Sequence, residues 1–240
     1  MKSWKIFLTV GIVILFIGIA VMIAGIAANG WKFKVEYEMQ TFISKESNDA
    51  LALEISAGSV KVEYFDGENF EIAYPTSYRH GYNVSEGNGK ITVTPKRTFG
   101  IWFGWNRIPE MTVKIPRGKV IDFSFDMSAG SARIAEGNFR TFDFDMSAGS
   151  ASVGNVICDR FTADISAGSL SVGGIECDNI NLDLSAGSAN LTVNGAKTDY
   201  NITVDKSAGS CNVGGQQGAV AGKVIDIDIS AGSVNVRFTD

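Results

Sequence analysis

Polar and apolar residues alternate through most of the C-terminal half of the chain. In Phe142-Asp143-Phe144-Asp145-Met146 every second residue is apolar, the period of a strand with one buried face and one wet face. Through Ser147-Ala148-Gly149-Ser150 the pattern loses step and resumes at Ala151 and Val153, so the glycine marks a bend or bulge. This assigns Phe142, Phe144, Met146 and Ala148 to the inner face. Gly154-Asn155 then turns the chain, and Cys158 and Phe161 lead into the next unit at Ile165.

The unit recurs. Ser-Ala-Gly-Ser begins at Ser56, Ser128, Ser147, Ser166, Ser185, Ser207 and Ser230, with spacings of 72, 19, 19, 19, 22 and 23 residues. A motif at constant spacing means stacked units, each unable to bury its apolar face without its neighbours. Met127, Met146, Ile165, Leu184 and Ile229 precede the motif and Ile134, Val153, Val172, Leu191 and Val213 follow it, so stacking in chain order aligns them into apolar columns. The prediction is an all-β fold, a parallel β-solenoid with coils of about 19 residues over 121–240. Six layers at about 4.8 Å make a body about 29 Å tall. The longer spacings place loops at 193–197 and 214–222.

Upstream, 51–120 reads as irregular opening coils and hairpins within the same domain. Val60–Tyr64 and Phe70–Tyr74 flank Asp66-Gly67 as one hairpin, and Tyr82–Val84 and Ile91–Val93 flank Asn88-Gly89 as another. Met111–Ile115 is a further strand.

The amino end has a different pattern. Ile6 to Ala28 is apolar except for Thr9, bracketed by Lys2, Lys5, Lys32 and Lys34, with Trp4 and Trp31 at the places of the two interfaces. Residues 1–30 therefore read as a short cytoplasmic tail and one transmembrane signal anchor, and 31–50 as a juxtamembrane linker. The competing reading is a cleaved signal peptide at Gly25-Ile26-Ala27. Flanking charge is nearly balanced; the short tail before the anchor favours amino end in, with the C-terminal domain outside the cytoplasm.

The seven motif copies, Ile55-Ser56-Ala57-Gly58-Ser59-Val60-Lys61-Val62, the Tyr74-Pro75 strand end and the 111–118 segment together resemble the bacterial putative-adhesin family of β-strand-repeat proteins, a domain of unknown function. The resemblance covers 51–240. It implies a β-solenoid, membrane anchoring, an association with the cell envelope, and no catalytic residues or cofactor.

Charge adds a direction. From Ile121 onward there are 7 bases against 15 acids, a surface suited to cations or basic partners and not to nucleic acid. Asp126, Asp145, Asp164, Asp183, Asp205 and Asp228 each stand two residues before a motif serine and form an outer ladder of carboxylates. Neighbouring charges about 4.8 Å apart repel by about 0.9 kcal/mol in water. Either a hard cation such as Ca²⁺ offsets this, or serine hydroxyls and loop amides donate to the carboxylates. Cys158 and Cys177 share a place in successive units and read as a buried thiol column, their parallel side chains ill-suited to a disulfide. Phe99, Ile101, Trp102, Phe103 and Trp105, with basic flanks, form an aromatic run that either caps the solenoid end or contacts membrane or partner. Enzyme signals fall short: 218–224 lacks one residue of a phosphate loop and its Ser or Thr, and His80 sits in a turn without a nucleophile.

The expected function is non-enzymatic: a single-pass envelope protein displaying its solenoid for binding, adhesion or scaffolding, with a link to envelope stress and an envelope protein or glycan as partner. The alternatives are a glycan-active β-helix enzyme and a self-assembling structural protein.

Overall fold

The computed structural model describes residues 15, 17–21, 23–24, 35–78, 80–96, 107–219 and 222–239. The chain divides into two compact units, Met1–Glu36 with Gly100–Asn106, and Tyr37–Phe99 with Arg107–Asp240. In the first, Leu15, residues 17–21, Ile23 and Ala24 are helical and exposed. Among the described residues no helix is long and apolar enough to cross a membrane, and most of the run from Ile6 to Ala28, with its expected span, lies outside them.

Apart from one 3-10 turn at Lys197–Asp199, the regular structure described in the second unit is β. Its strands are β1 (Glu38–Ile43), β2 (Ala50–Ile55), β3 (Gly58–Phe65), β4 (Glu71–Thr76), β5 (Tyr82–Gly87), β6 (Lys90–Pro95), β7 (Met111–Pro116), β8 (Ile121–Ile134), β9 (Gly137–Asn194), β10 (Asn201–Cys211) and β11 (Val224–Thr239). The repeat makes rungs bent at the motif glycine. The first arm of β8 lies parallel to β2, with Phe123 opposite Leu51, and its second arm lies parallel to β3, with Ala132 opposite Val60. The segment Leu51–Val62, expected to be irregular, is thus a regular rung placed directly against β8 although 72 residues separate the two motif serines.

β8 then pairs with the start of β9 at an interval of 19, Phe123 to Phe142 and Met127 to Met146. Identical side chains fall on one another. Phe142 stacks between Phe123 at 5.3 Å and Phe161 at 5.2 Å, and Phe125 stacks on Phe144 at 5.2 Å. Leu182, Ile227 and Val153 continue the buried interior. This burial of apolar columns is the main stabilising term of a stacked fold.

The motif itself lies outside. Ala148 is exposed, not inward as the alternation suggested, because the backbone swings about Gly149 and inward positions resume only at Ala151. Gly149 has φ 135°, and a Cβ there would collide with the Gly130 carbonyl oxygen of the next rung. The corner admits glycine for both reasons.

Rung order departs from chain order. β11 pairs with the last turn of β9, Ile227 opposite Leu182, and β10 pairs with β11, Val204 opposite Ile227. The final rung is therefore β10, and β11 is inserted beneath it. The connection over 212–223 is long enough to carry the chain past one layer, and all rungs present the same apolar columns, so the sequence repeat alone does not distinguish the two orders. The outer edge of β10 is covered at its start by a bridge between Ile202 and Gln216. Beyond the end of β10, the Asn212 side-chain amide takes the place of backbone, donating to Val236 O at 2.8 Å and accepting from Val236 N at 2.7 Å.

At the other end the sheet continues on each arm. β2 extends through parallel β6 to antiparallel β5, whose turn has the expected positive φ at Asn88 (53°) and Gly89 (72°). The expected hairpin between β3 and β4 does not form: β7 lies between them, parallel to β3 and antiparallel to β4. Five residues, 66–70, link β3 to β4, enough to step over one strand, and the Arg117–Asp66 ion pair at 2.8 Å ties the two connections together. β1, within the stretch read as linker, is antiparallel to β4 and lays Phe42 against the core.

Candidate binding surfaces

The first arm presents its polar face as a column of carboxylates. Asp126 pairs with Asp145, Asp183 with Asp228, and Asp228 with Asp205, and these residues and Asp164 are exposed. The ladder runs in the order Asp126, Asp145, Asp164, Asp183, Asp228, Asp205. Glu54 opposite Asp126 adds a seventh acid at its head. Glu54 was missed because the sequence distance to Ser128 hid the rung to which it belongs.

Partial burial first, and then the charges of Asp164, Asp126 and Asp143, raise the Asp145 carboxyl above its ordinary value. Among the described residues no hydrogen bond from a serine or loop amide reaches the six ladder aspartates, so the expected hydrogen-bonded ladder is not what forms. Ser131 instead donates to Ser59 at 3.0 Å, linking hydroxyl to hydroxyl. Nor, among the described residues, do three His, Cys, Asp or Glu side chains gather at a point to hold a metal ion. The array is linear, with successive acids flanking gaps one rung wide.

Cys158 and Cys177 are buried and free, as their common position suggests. The hydrogen bond between the thiols and their burial push Cys158 well up, while Cys177 Sγ also donates to Asn179 O at 3.1 Å. Tyr200 closes over this column, fully buried, its hydroxyl donating to Cys177 O at 3.1 Å and its pKa pushed up to about 12 by burial. These thiols are packing elements that lack the electropositive, accessible setting of a nucleophile.

His80 lies in a turn closed by its N–H donating to Ser77 Oγ at 2.9 Å, as expected, but not on the open surface. Its ring is half-buried edge-on to Tyr82 at 5.2 Å, burial lowers its pKa, and among the described residues Nε2 has no hydrogen-bond partner. The run containing Phe99, Ile101, Trp102, Phe103 and Trp105 lies outside the described residues.

A parallel stack of bent rungs, with an unbroken polar column on one arm and buried aromatic and aliphatic columns inside, defines the class: a β-strand-repeat module. The chain belongs to the Toastrack DUF4097 family, whose model matches residues 48–240. Among solved structures, a putative cell adhesion protein from Clostridium sporogenes is similar with a TM-score of 0.50 at 12% identity, covering 86% of this chain and 100% of that chain. A putative adhesin from Bacteroides fragilis gives a TM-score of 0.46 at 12% identity, covering 83% and 97% respectively. At 12% identity the likeness to the Clostridium sporogenes protein is one of fold. The curated proteins contain no match.

Proposed function

We propose that this protein is a non-enzymatic attachment module of the bacterial envelope, an extracytoplasmic β-solenoid of about 19-residue coils tethered by a single-pass anchor within residues 1–30. The observation that carries the reading is the carboxylate ladder from Glu54 to Asp205, which crosses seven rungs as an exposed line of like charge. A rigid periodic array suits many weak contacts with an extended basic partner, whose avidity grows with the number of rungs engaged. It does not suit chemistry, which needs unlike groups converging on one bond. The names given to the two structural relatives agree with an adhesive role. The apolar run from Ile6 to Ala28, with Lys2 and Lys5 before it, supports the anchor.

Beads carrying the full-length chain should bind envelope fragments in low salt and release them as ionic strength rises. Asp145→Asn, Asp164→Asn and Asp183→Asn combined should reduce binding at least severalfold. Equal binding by the triple variant overturns the ladder's role. A reporter fused after Thr239 tests the placement separately, and activity confined to the cytoplasm overturns it.

A further inference from the structure

A groove of about 510 Å³ lies away from the ladder, where the second arms of the rungs end and the chain turns back. Its volume is that of a small-ligand site, about 300–1,000 Å³. We propose that this groove is a binding site for a neutral oligosaccharide, distinct from the acidic ladder.

Gly174 has no side chain, and a Cβ there would lie 2.6 Å from Asn155 Oδ1 and 3.1 Å from Asn194 Nδ2. Two planar amides from different coils thus converge over one glycine. Asn155 offers a donor pair and an acceptor, and Asn194, whose Oδ1 already accepts from Thr239 Oγ1 at 3.2 Å, offers its donor pair, together the complement of vicinal hydroxyls. Glu136 and Glu176 supply acceptors on the same wall.

Apolar surface is present beside them. Ile157 lines the groove and is 47% exposed. Tyr64 lies across Gly137, its ring pinned by the hydroxyl donating to Asn138 O at 3.1 Å and by edge contact with Phe139 at 6.2 Å. A pinned phenol and an exposed aliphatic group give the C–H faces of a pyranose somewhere to rest at little entropic cost.

Charge decides the class. The groove's bases are already engaged, Arg117 Nε with Asp66 at 2.8 Å and Lys119 Nζ with Ser47 at 2.9 Å. Asp66 compensates the charge of Arg117, and Lys119 keeps its charge but faces the acids of the same wall, so the groove offers no cluster of cations for a phosphate. With Arg117 paired to Asp66 and Glu63 to Lys61, Lys119 stands against Glu136 and Glu176, a balance of one negative charge that gives no strong field to select a basic peptide either.

The test is titration of the purified full-length chain with cellotriose and with triacetylchitotriose, followed by calorimetry. Saturable binding of either trisaccharide with a dissociation constant below about 1 mM is expected. Asn155→Leu and, independently, Gly174→Ala should weaken it at least tenfold without changing the unfolding temperature; Gly174 does not have a positive φ, so alanine is conformationally tolerated there. Should either variant unfold, Glu176→Gln serves in its place. Asp164→Asn, on the ladder, should bind the trisaccharide as the parent does. Absence of saturation with both sugars, or unchanged affinity in the groove variants, overturns the proposal. Competition by inorganic phosphate or tetralysine at the same residues overturns the ligand class. Because the bead assay reads the ladder and calorimetry reads the groove, either proposal can fail alone.

Discussion

Lys206 of β10 stands in register with Ile229 of β11, in the column that elsewhere holds Met127, Met146 and Leu184. Lys206 is exposed, so on the terminal rung a charge stands in the column that the neighbouring rungs bury. A charge at this place on an edge strand makes pairing with a second molecule expensive, because the ammonium would be buried between two sheets. This argues against end-to-end assembly and gives the first prediction. Lys206→Ile should create a self-associating edge, seen as dimers or larger species by light scattering at concentrations where the parent chain in the same detergent stays monomeric. An unchanged mass would show that Lys206 does not guard this edge.

The ladder has a pH signature. Asp145 has a raised pKa in the folded state, so the native protein holds its proton more tightly than the unfolded chain. Its contribution is therefore unfavourable above the folded value, and stability from this group rises as pH falls from that value toward the unfolded one. Asp145→Asn should raise the melting temperature at pH 7 by a degree or a few, and the gain should vanish below the ordinary carboxylate range. A gain that persists at low pH would point to packing and away from charge.

Calcium separates two origins for the ladder's tolerance. With no three acids converging, millimolar calcium and chelator should give the same melting curve, whereas added sodium chloride should raise it slightly by screening. A clear upward shift with calcium, abolished by Asn at 145, 164 and 183, would establish cation binding between rungs.

At the corner, Gly149→Ala should cost about 3 kcal/mol or more, combining positive-φ strain of about 1–3 kcal/mol with collision against the rung below. Gly118→Ala also has positive φ (83°) but meets no atom within 4 Å, so it should cost only the strain. Chemical denaturation of the two variants measures the difference; equal losses would remove the close-approach argument.

The thiols offer a packing test. Native protein should react with Ellman's reagent at Cys211 at most, since Cys158 and Cys177 are buried, and all three should react in denaturant. Rapid native labelling of Cys158 would mean that the coil opens locally.

The columns were legible because a period of two residues and an interval of 19 together place Phe123, Phe142 and Phe161 on one line whatever the rung order. The order itself was not. Identical rungs stack equally well in any sequence, and only Lys206, the one charge in its column, marks β10 as terminal. The placement of β7 between β3 and β4 was hidden for a related reason, since Val60–Tyr64 and Phe70–Tyr74 are each as fit to pair with Met111–Ile115 as with each other. Asn155 and Asn194 were invisible as a pair because what brings them together is the missing side chain of Gly174.

The insertion of β11 beneath β10 also has a consequence for how the molecule is made. A chain emerging amino end first completes β10 while the 16 residues of its intended support, Val224–Thr239, are still unsynthesised. During that interval the last turn of β9 exposes an edge that β10 fits in every column but one, where Lys206 would meet Leu184 instead of Ile229. Docking there would be penalised little more than the native arrangement, and a chain that docked early would have to release β10 before β11 could enter. A truncation that removed β11 would take one parallel partner from β10 and one from the last turn of β9, so loss of the final strand undoes two interfaces where loss of a terminal rung in a simple stack would undo one.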